Sequence, residues 1–257
     1  MSSGFNIFIG IPAYNSASSF PQVIDEIRRN PEIRQIILVD DASTDSTRQV
    51  MSENKFESIH RFRNEMNRGY GGTVKRIFTE FRALSSNPDD LIIILHSDGQ
   101  TPPDEIPLFA DAYEKTHADM ILGSRMLAGF RAQSGNRPLF KIIGDYILTG
   151  IQNLAYGLSV SSYASGYRAF RRGALDVLGY GACDNLHNFD TEIILEAKRA
   201  GLKISEIPVR TVKSKQISNN ALFGYAMRSV KTFFKYKFAK AQTKTRCCSG
   251  SKAGEKV

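Results

Sequence analysis

The residues best placed for chemistry in this sequence stand directly after apolar runs. The run IIIL (92–95) stops at a polar group that contains Ser97, Asp98 and Gln100. A carboxylate and an amide at the mouth of a buried strand are costly to bury without partners. The other polar residues that follow apolar runs are Tyr14, Asn15, Asp40 and Asp41. The pattern predicts that these run ends bind a polar ligand.

Strand-like and helix-like runs alternate along the chain and must position these groups. The runs 5–12, 33–41 and 90–98 are nearly continuously apolar, as in strands buried on both faces. Helical spacing of apolar residues marks 20–30 and 69–84. Further strands are predicted at 58–65, 118–126, 163–172 and 202–211, and further helices at 42–54 and 191–201. This alternation predicts an α/β fold with a mostly parallel sheet flanked by helices, whose ligands bind beyond the carboxyl ends of the strands.

Composition is that of a folded soluble protein, and the length suffices for one large α/β domain or two small ones. Of the 257 residues, 42% are hydrophobic and 23% are charged. No apolar stretch approaches the roughly 18 residues of a membrane span, and no basic region precedes the first apolar residues. The three cysteines show no metal-ligand spacing. We therefore expect a cytoplasmic protein.

The net charge of +8 is concentrated near the C-terminus. Residues 207–257 hold twelve Lys and Arg against the single acid Glu255, whereas residues 1–206 hold 22 bases and 25 acids. The basicity therefore does not belong to the main domain. It argues against a nucleic-acid partner and favours a local anionic one.

Each short motif has an ordinary structural interpretation when it is taken alone. VDDAST (39–44) is compatible with a strand followed by a capped helix, and NRGYGG (67–72) with a tight turn before a helix. The carboxylate of Asp190 is compatible with a helix N-cap. The arginines of GSR (123–125) and SGYR (165–168) are compatible with structural ion pairs.

The ordered set of motifs is more specific than its members. It comprises IPAYN (11–15), VDDASTD (39–45), NRGYGGT (67–73), SDGQ (97–100), GSR (123–125), SGYRAF (165–170), FDTEI (189–193) and EIPV (206–209). This set resembles the inverting glycosyltransferases of family 2, which have the GT-A type of Rossmann-like fold. The likeness is greatest to the dolichyl- and polyprenyl-phosphate sugar synthases and to related bacterial surface-polysaccharide enzymes. It spans roughly residues 5–238.

The resemblance implies a nucleotide-sugar donor, UDP- or GDP-linked, at the strand ends. Asp40, Asp41 and the turn Pro12–Tyr14 would hold its base and ribose. The other residues predicted to bind the donor are Asn15, Asn67, Gly69, Ser97 and Gln100.

The resemblance also implies a divalent cation, Mg²⁺ or Mn²⁺, on the donor diphosphate. The D-x-D motif that binds this cation in the family survives here only as Asp98, with Gln100 to orient it. One carboxylate can suffice because phosphates supply further oxygens. His96 stands where family members commonly carry an aspartate. Three roles are open to it: a ligand of the metal, a contact with a metal ligand or with the ribose, or a cap on the strand end.

The nature of the acceptor decides which residues act on it. A lipid phosphate is already an anion and needs cations to bind it, for which the resemblance favours Arg125 and Arg137. Lys141 and Arg168 would add to this cluster, although Arg168 is equally compatible with a structural ion pair to Glu192. A sugar hydroxyl would instead need a general base, and Asp190 is the candidate.

The C-terminal part is predicted to be separate from the catalytic domain (1–215). Residues 216–242 read as an amphipathic basic helix, with aromatic residues on one side and bases on another. Such a helix suits a membrane interface, or packs on the domain or on a partner protein. The tail 243–257 is predicted to be disordered.

Together these observations predict a metal-assisted inverting glycosyltransferase, in which Asp98, Arg125 and Asp190 are the catalytic candidates. It would transfer a sugar to a polyprenyl or dolichyl phosphate, as a cytoplasmic protein with peripheral attachment to the cytoplasmic membrane face. One alternative keeps the fold and the donor but uses a hydroxyl acceptor. A second is a non-catalytic nucleotide-sugar-binding protein.

Overall fold

The computed structural model describes residues 4–30, 33–53, 58–129, 139–186, 188–210 and Thr232. The strands are β1 (Ile7–Ala13), β2 (Ile33–Asp40), β3 (Ile59–Arg63), β4 (Leu91–Ile94), β5 (Met120–Ser124), β6 (Arg168–Arg171) and β7 (Ile204–Pro208). The α-helices are α1 (Phe20–Arg28), α2 (Thr47–Glu53), α3 (Gly69–Leu84), α4 (Ile106–Thr116), α5 (Leu139–Tyr156) and α6 (Phe189–Arg199). Short 3₁₀ helices lie at Pro103–Glu105, Arg172–Asp176 and Tyr180–Ala182.

The strands form one sheet in the order β3-β2-β1-β4-β6-β5-β7. All neighbouring pairs are parallel except those of β6, which runs antiparallel to both β4 and β5. The prediction of a mostly parallel sheet flanked by helices is confirmed. Because β1, β2 and β4 are parallel neighbours, the polar groups after them meet at one edge.

Alternate residues of the central strands serve two separate cores. On one face, Ile9 and Ile36 pack with α1 and α4. On the other face, Phe8 and Ile37 pack with α3 and α6. Both faces are covered, which explains why these strands are continuously apolar in sequence.

The structure changes some predicted boundaries. The strand predicted over 90–98 ends at Ile94, and the chain then turns through the polar group at 96–100. Helices α4 and α5 were not predicted. Among the described residues, none of the helices combines the length and the hydrophobicity that crossing a bilayer requires. The predicted boundary at residue 215, the helix 216–242 and the tail 243–257 lie outside the described residues, apart from Thr232.

Candidate active site

Asp40 ends β2 with its carboxylate inside the protein. One oxygen accepts the backbone N–H of Ser43 at 2.9 Å, and the other is bound by the guanidinium of Arg63. The residue is 1% exposed. These bonds fold the loop after β2 onto the strand end. Contact between Asp40 and a nucleoside stays a prediction, and it would require sharing an oxygen that is already bonded.

Asp41 performs a similar task for the start of α3. Its carboxylate accepts the side-chain amide of Asn64 at 2.7 Å and the backbone N–H groups of Arg68 at 2.9 Å and Gly69 at 2.8 Å. The side-chain oxygen of Asn67 also accepts the Gly69 N–H, at 2.9 Å. A carboxylate at a helix N-terminus is favoured by the unpaired N–H groups there. Asp41 therefore connects the end of β2 to the end of β3 and to the start of α3. These connected ends, together with the residues that directly follow β1 and β4, are called the rim.

The end of β1 contributes the next part of this rim. Pro12 is buried, whereas the ring of Tyr14 is 48% exposed and is accessible to a ligand. Asn15 has a left-handed backbone, φ 49°. Its side-chain oxygen accepts the N–H of Thr44 at 2.9 Å, and its own N–H donates to the Ser43 hydroxyl at 3.0 Å. Asn15 thus ties the β1 end to the loop after β2.

The polar group after β4 is fixed to the same rim. The buried hydroxyl of Ser97 lies 2.7 Å from that of Ser16, and the Ser97 carbonyl accepts the hydroxyl of Ser19 at 2.7 Å. The Asp98 carboxylate accepts the backbone N–H of Gln100 at 2.9 Å through Oδ1. Gln100 thus contacts Asp98 through its backbone, and the role of its side chain beside a cation stays a prediction.

The ligand atoms present suit a cation that phosphates also bind. The Oδ2 atom of Asp98 accepts no hydrogen bond from the described part of the chain. Within those same residues, no three His, Cys, Asp or Glu side chains are grouped as a metal site would need. A cation held by protein alone is therefore not supported there. Asp98, with the Gln100 amide beside it, fits a hard ion whose other ligands are phosphate oxygens.

One cleft of about 190 Å³ brings the predicted catalytic residues together. Asp98 and Gln100 line it from the β4 end, Arg125 from the residue after β5, and Asp190 from the first turn of α6. His96 lines it as well. These residues are far apart in sequence, and the mixed order of strands β4, β6 and β5 makes them neighbours.

Arg168 is buried behind the cleft. It is 1% exposed and donates to the backbone carbonyls of Asp190 at 2.6 Å and Tyr163 at 2.9 Å. Its Nη1 lies 3.5 Å from Oδ1 of Asp190. The ion-pair partner is thus Asp190 and not the predicted Glu192, which accepts the N–H of Asp184 at 2.7 Å. This burial favours the structural role of Arg168 over phosphate binding.

Two aromatic rings connect the polar group after β4 to Asp190. The imidazole of His96 stacks on the ring of Tyr70, with centroids 5.2 Å apart and planes at 12°. The Tyr70 hydroxyl donates to Asp190 Oδ1 over 3.4 Å. Burial, followed by the negative charge of Asp190, raises the pKa of Tyr70 well above its ordinary value. The hydroxyl therefore remains a proton donor.

The structure adds three residues that the sequence analysis did not select: Gly166 and Arg210, which line the cleft, and Tyr70, which contacts the cleft residues His96 and Asp190. Tyr70 and Gly166 lie inside the motifs NRGYGG and SGYR, yet only neighbouring positions were chosen there. Arg210, directly after EIPV, lines the cleft and is bound to the buried Glu105 at 2.8 Å and to Asp104 at 2.7 Å. The motifs held a signal for Tyr70 and Gly166, and Arg210 directly follows the motif EIPV.

Two predicted acceptor residues are not placed. Arg137 lies outside the described residues, and only the backbone of Lys141, in α5, is described. Their roles stay predictions.

Comparison with known proteins shows what this site is similar to. The glycosyl transferase family 2 model matches residues 8–179. The UDP-N-acetylglucosamine–dolichyl-phosphate N-acetylglucosaminyltransferase of Methanococcus voltae is 29% identical over 80% of this chain and 85% of its own length. The undecaprenyl-phosphate mannosyltransferase of Micrococcus luteus is 25% identical over 79% and 82%.

A solved structure supports the fold. Glucosyl-3-phosphoglycerate synthase of Mycobacterium tuberculosis, crystallised with Mn²⁺, UDP and glucosyl-3-phosphoglycerate, superposes with a TM-score of 0.63. It is 18% identical, and the match covers 91% of this chain and 80% of that one. The predicted GT-A type of fold is thereby confirmed. The residues that match the family model, 8–179, include most of the sheet and most of the residues that line the cleft. The chain therefore belongs to glycosyl transferase family 2.

Proposed function

We propose that this glycosyltransferase moves a sugar from a UDP- or GDP-linked donor to a polyprenyl or dolichyl phosphate, with inversion, at the cytoplasmic face of a membrane. The observation that carries the proposal is an exposed apolar surface beside the cleft. The names of the Methanococcus voltae and Micrococcus luteus relatives, which include dolichyl phosphate and undecaprenyl phosphate, agree with it.

That surface lies on helix α5 and is called the α5 apolar face. It consists of Leu139, Phe140, Ile143, Tyr146, Ile147, Ile151 and Leu154, each between 43% and 89% exposed. Four of them recur every fourth residue and so form one stripe along the helix. A stripe of this size is unusual on a protein that faces only water. A lipid surface is the partner whose chemistry matches it.

The α5 apolar face is fixed next to the catalytic residues. The Tyr146 hydroxyl donates to the Met126 carbonyl at 3.4 Å, and the Thr149 hydroxyl lies 4.0 Å from the Met126 sulfur. Met126 directly follows Arg125, which lines the cleft. A cation at the cleft and an apolar helix beside it match a ligand with a phosphate head and a hydrocarbon chain.

The chemistry of this acceptor needs few protein groups. A phosphate oxygen, already anionic, attacks the anomeric carbon while the bond from that carbon to the donor diphosphate breaks, and the nucleoside diphosphate leaves. Arg125 binds the acceptor phosphate through charge-assisted hydrogen bonds. Asp98 and Gln100 would hold a cation, which when bound would stabilise the charge that develops on the leaving diphosphate.

Asp190 has a different task in this scheme. Its charge is compensated by Arg168 at 3.5 Å, and it accepts the Tyr70 hydroxyl, so it is not arranged as a freely accessible base. We assign it the role of accepting a hydroxyl of the donor sugar and so orienting the anomeric carbon.

The basic segment 216–242 remains part of the proposal as a second membrane contact. Thr232, its one described residue, is 3% exposed, and its hydroxyl accepts the Asn188 side-chain amide at 2.5 Å. Thr232 therefore supports only a contact of this one residue with Asn188, directly before α6, and the amphipathic helix 216–242 and its membrane contact stay predictions.

The test is a donor and acceptor panel. Purified protein is incubated with UDP- and GDP-sugars, Mg²⁺ or Mn²⁺, and a short polyprenyl phosphate, and released nucleoside diphosphate is measured. We expect release that requires both metal and lipid phosphate, with the anomeric configuration of the product, read by NMR, opposite to that of the donor. Release that proceeds equally with a phosphate-free polyprenol would contradict the proposal.

A hydroxyl acceptor is the second candidate, because Asp190 is a carboxylate that lines the cleft. The structurally similar glucosyl-3-phosphoglycerate synthase was crystallised with a sugar product that is not a lipid. Turnover with soluble hydroxyl compounds, and none with polyprenyl phosphate, would favour it.

A further inference from the structure

Position 96 carries a histidine whose ring is enclosed by groups from two other elements. One face of the ring stacks on Tyr70, from the first turn of α3. The edge of the ring that carries Nε2 and Cε1 lies against Gly166, just before β6. A Cβ at position 166 would be 2.1 Å from His96 Nε2 and 2.9 Å from the Tyr70 hydroxyl. The histidine and tyrosine rings thus occupy the space that a side chain at 166 would need.

This packing connects His96 to Asp190. Tyr70 is held in an aromatic cluster: it stacks on His96 and makes an edge contact with Phe189, whose centroid is 6.3 Å away. From that position its hydroxyl reaches Asp190. Removing the imidazole would leave one face of the Tyr70 ring without its stacking partner. The hydroxyl would then be less well fixed on Asp190.

The ring position also bears on the cation. Asp98 turns its carboxylate toward the backbone N–H of Gln100, two residues on, while the imidazole of His96 packs flat on Tyr70. Ligation requires a ring nitrogen to point at the ion with its lone pair in the ring plane. A ring whose face packs on Tyr70 and whose Nε2 edge lies against Gly166 is poorly placed to rotate toward one.

We infer that His96 is a positioning residue: its stack on Tyr70, made possible by Gly166, holds the tyrosine hydroxyl on Asp190, and the cation is bound without it. The inference rests on the proposed function only in taking Asp98 as the cation ligand. It explains why an aromatic side chain suits position 96, since an aspartate could not stack and would bring a second negative charge toward Asp190.

The deciding experiment compares His96→Phe with His96→Asp. The first keeps a ring that can stack and removes both nitrogens, whereas the second supplies a carboxylate ligand and removes the ring. The affinity for Mn²⁺ in the presence of UDP is measured by electron paramagnetic resonance, independently of turnover. We expect the His96→Phe affinity to stay within about threefold of the parent value. A drop of tenfold or more in His96→Phe that His96→Asp restores would overturn the inference.

Turnover supplies the second measurement. His96→Asp is expected to lower kcat roughly 3- to 10-fold, the size of a lost aromatic contact, and more than His96→Phe does. Tyr70→Phe keeps the stack but removes the hydroxyl from Asp190. Because His96 acts through that hydroxyl, the double variant with His96→Asp should lose less than the product of the single losses. Fully multiplicative losses would contradict the coupling.

Asp98→Asn separates this inference from the proposed function. It is expected to abolish Mn²⁺ binding in the presence of UDP. If it does not, Asp98 is not the cation ligand and the proposed site fails, whatever His96 does. If it does, and His96→Phe still binds Mn²⁺, the role assigned to His96 stands.

Discussion

The two sides of the cleft differ in how their polar groups are bonded. On the side proposed to bind the donor, called the donor side, the polar groups at the ends of β1, β2 and β4 are bonded to the chain itself; they are Asp40, Asp41, Asn15 and Ser97. On the side proposed to bind the acceptor, called the acceptor side, helix α5 leaves a row of large apolar side chains exposed. The polar groups of the first side are therefore already fixed by the protein, whereas the second side presents an exposed apolar surface.

The difference follows from the sheet. Parallel neighbours β1, β2 and β4 bring their carboxyl ends to one edge, where short loops bond to one another. Beyond β4 the antiparallel strand β6 interrupts this order, and the connection from β5 to β6 is long enough to contain α5. Polar groups that are already fixed would reduce the ordering cost of binding the proposed donor. The apolar helix on the other side would contact the proposed lipid acceptor.

The largest effect is expected at Asp98, the residue that is proposed to bind the cation. Asp98→Asn should lower kcat by about 10²- to 10³-fold, because the carboxylate that holds the cation is lost. Release of nucleoside diphosphate measures it, and Asp111→Asn, an exposed carboxylate on α4, is the matched control. Near-full activity of Asp98→Asn would show that the donor side does not bind the metal.

The hydrogen bonds that Asp41 accepts within the rim predict a large effect on stability when this residue is changed. Asp41→Ala leaves the N–H donors of Asn64 and Arg68 without their acceptor and removes one of the two acceptors of the Gly69 N–H, and should reduce the free energy of unfolding by about 3 kcal/mol. Urea denaturation measures the change. Asp25→Ala, which removes an exposed carboxylate, should cost less than about 0.5 kcal/mol. Equal costs would remove the contrast between the two sides.

The proposed contact between the α5 apolar face and lipid is tested by changing two of its residues. The double change Ile147→Lys and Ile151→Lys should weaken binding to vesicles that contain polyprenyl phosphate by at least about tenfold, because charges replace the apolar stripe. Co-sedimentation measures the binding. Val177→Lys, at a residue that is 62% exposed outside α5, should bind as the parent does. Unchanged binding of the α5 variant would refute a lipid-facing helix.

A smaller effect is expected at Asp190 if the acceptor is a phosphate. Asp190→Asn retains an oxygen that can accept a sugar hydroxyl, so turnover with polyprenyl phosphate should fall less than about tenfold. Loss of a general base would cost about 10²- to 10⁴-fold. The unfolding free energy is measured alongside, because the change leaves Arg168 without its charged partner. A large loss of turnover in a folded variant would favour the hydroxyl acceptor.

The smallest effect is expected on the free energy of unfolding at Ala42, in the loop that follows β2. Ala42 has φ 58°, in the left-handed region that costs an L-residue about 1–2 kcal/mol. Ala42→Gly should therefore raise the free energy of unfolding by up to about 1 kcal/mol. Ala83→Gly, at an exposed helical residue of α3, should lower it by about 0.5 kcal/mol. Changes of the same sign would show that the turn is not strained.

Much of the donor side was predictable because its signals are local. A continuous apolar run identified β2 as a buried strand, and the carboxylates of Asp40 and Asp41 directly followed it. Parallel strands then require such groups to share an edge. Even so, the direction of those carboxylates was not predictable. Their partners Arg63 and Asn64 are 23 residues away and lie at the end of a different strand.

The sequence by itself determined the α/β class, the family and the set of residues at the strand ends, because periodicity and short motifs depend on neighbours along the chain. Only the tertiary structure decided that Arg168 pairs with Asp190, that His96 stacks on Tyr70 over Gly166, and that one face of α5 stays exposed. Those facts depend on how β6 inserts between β4 and β5 and on which helix covers which face. Such contacts join residues far apart in the chain, and their distances are set by packing.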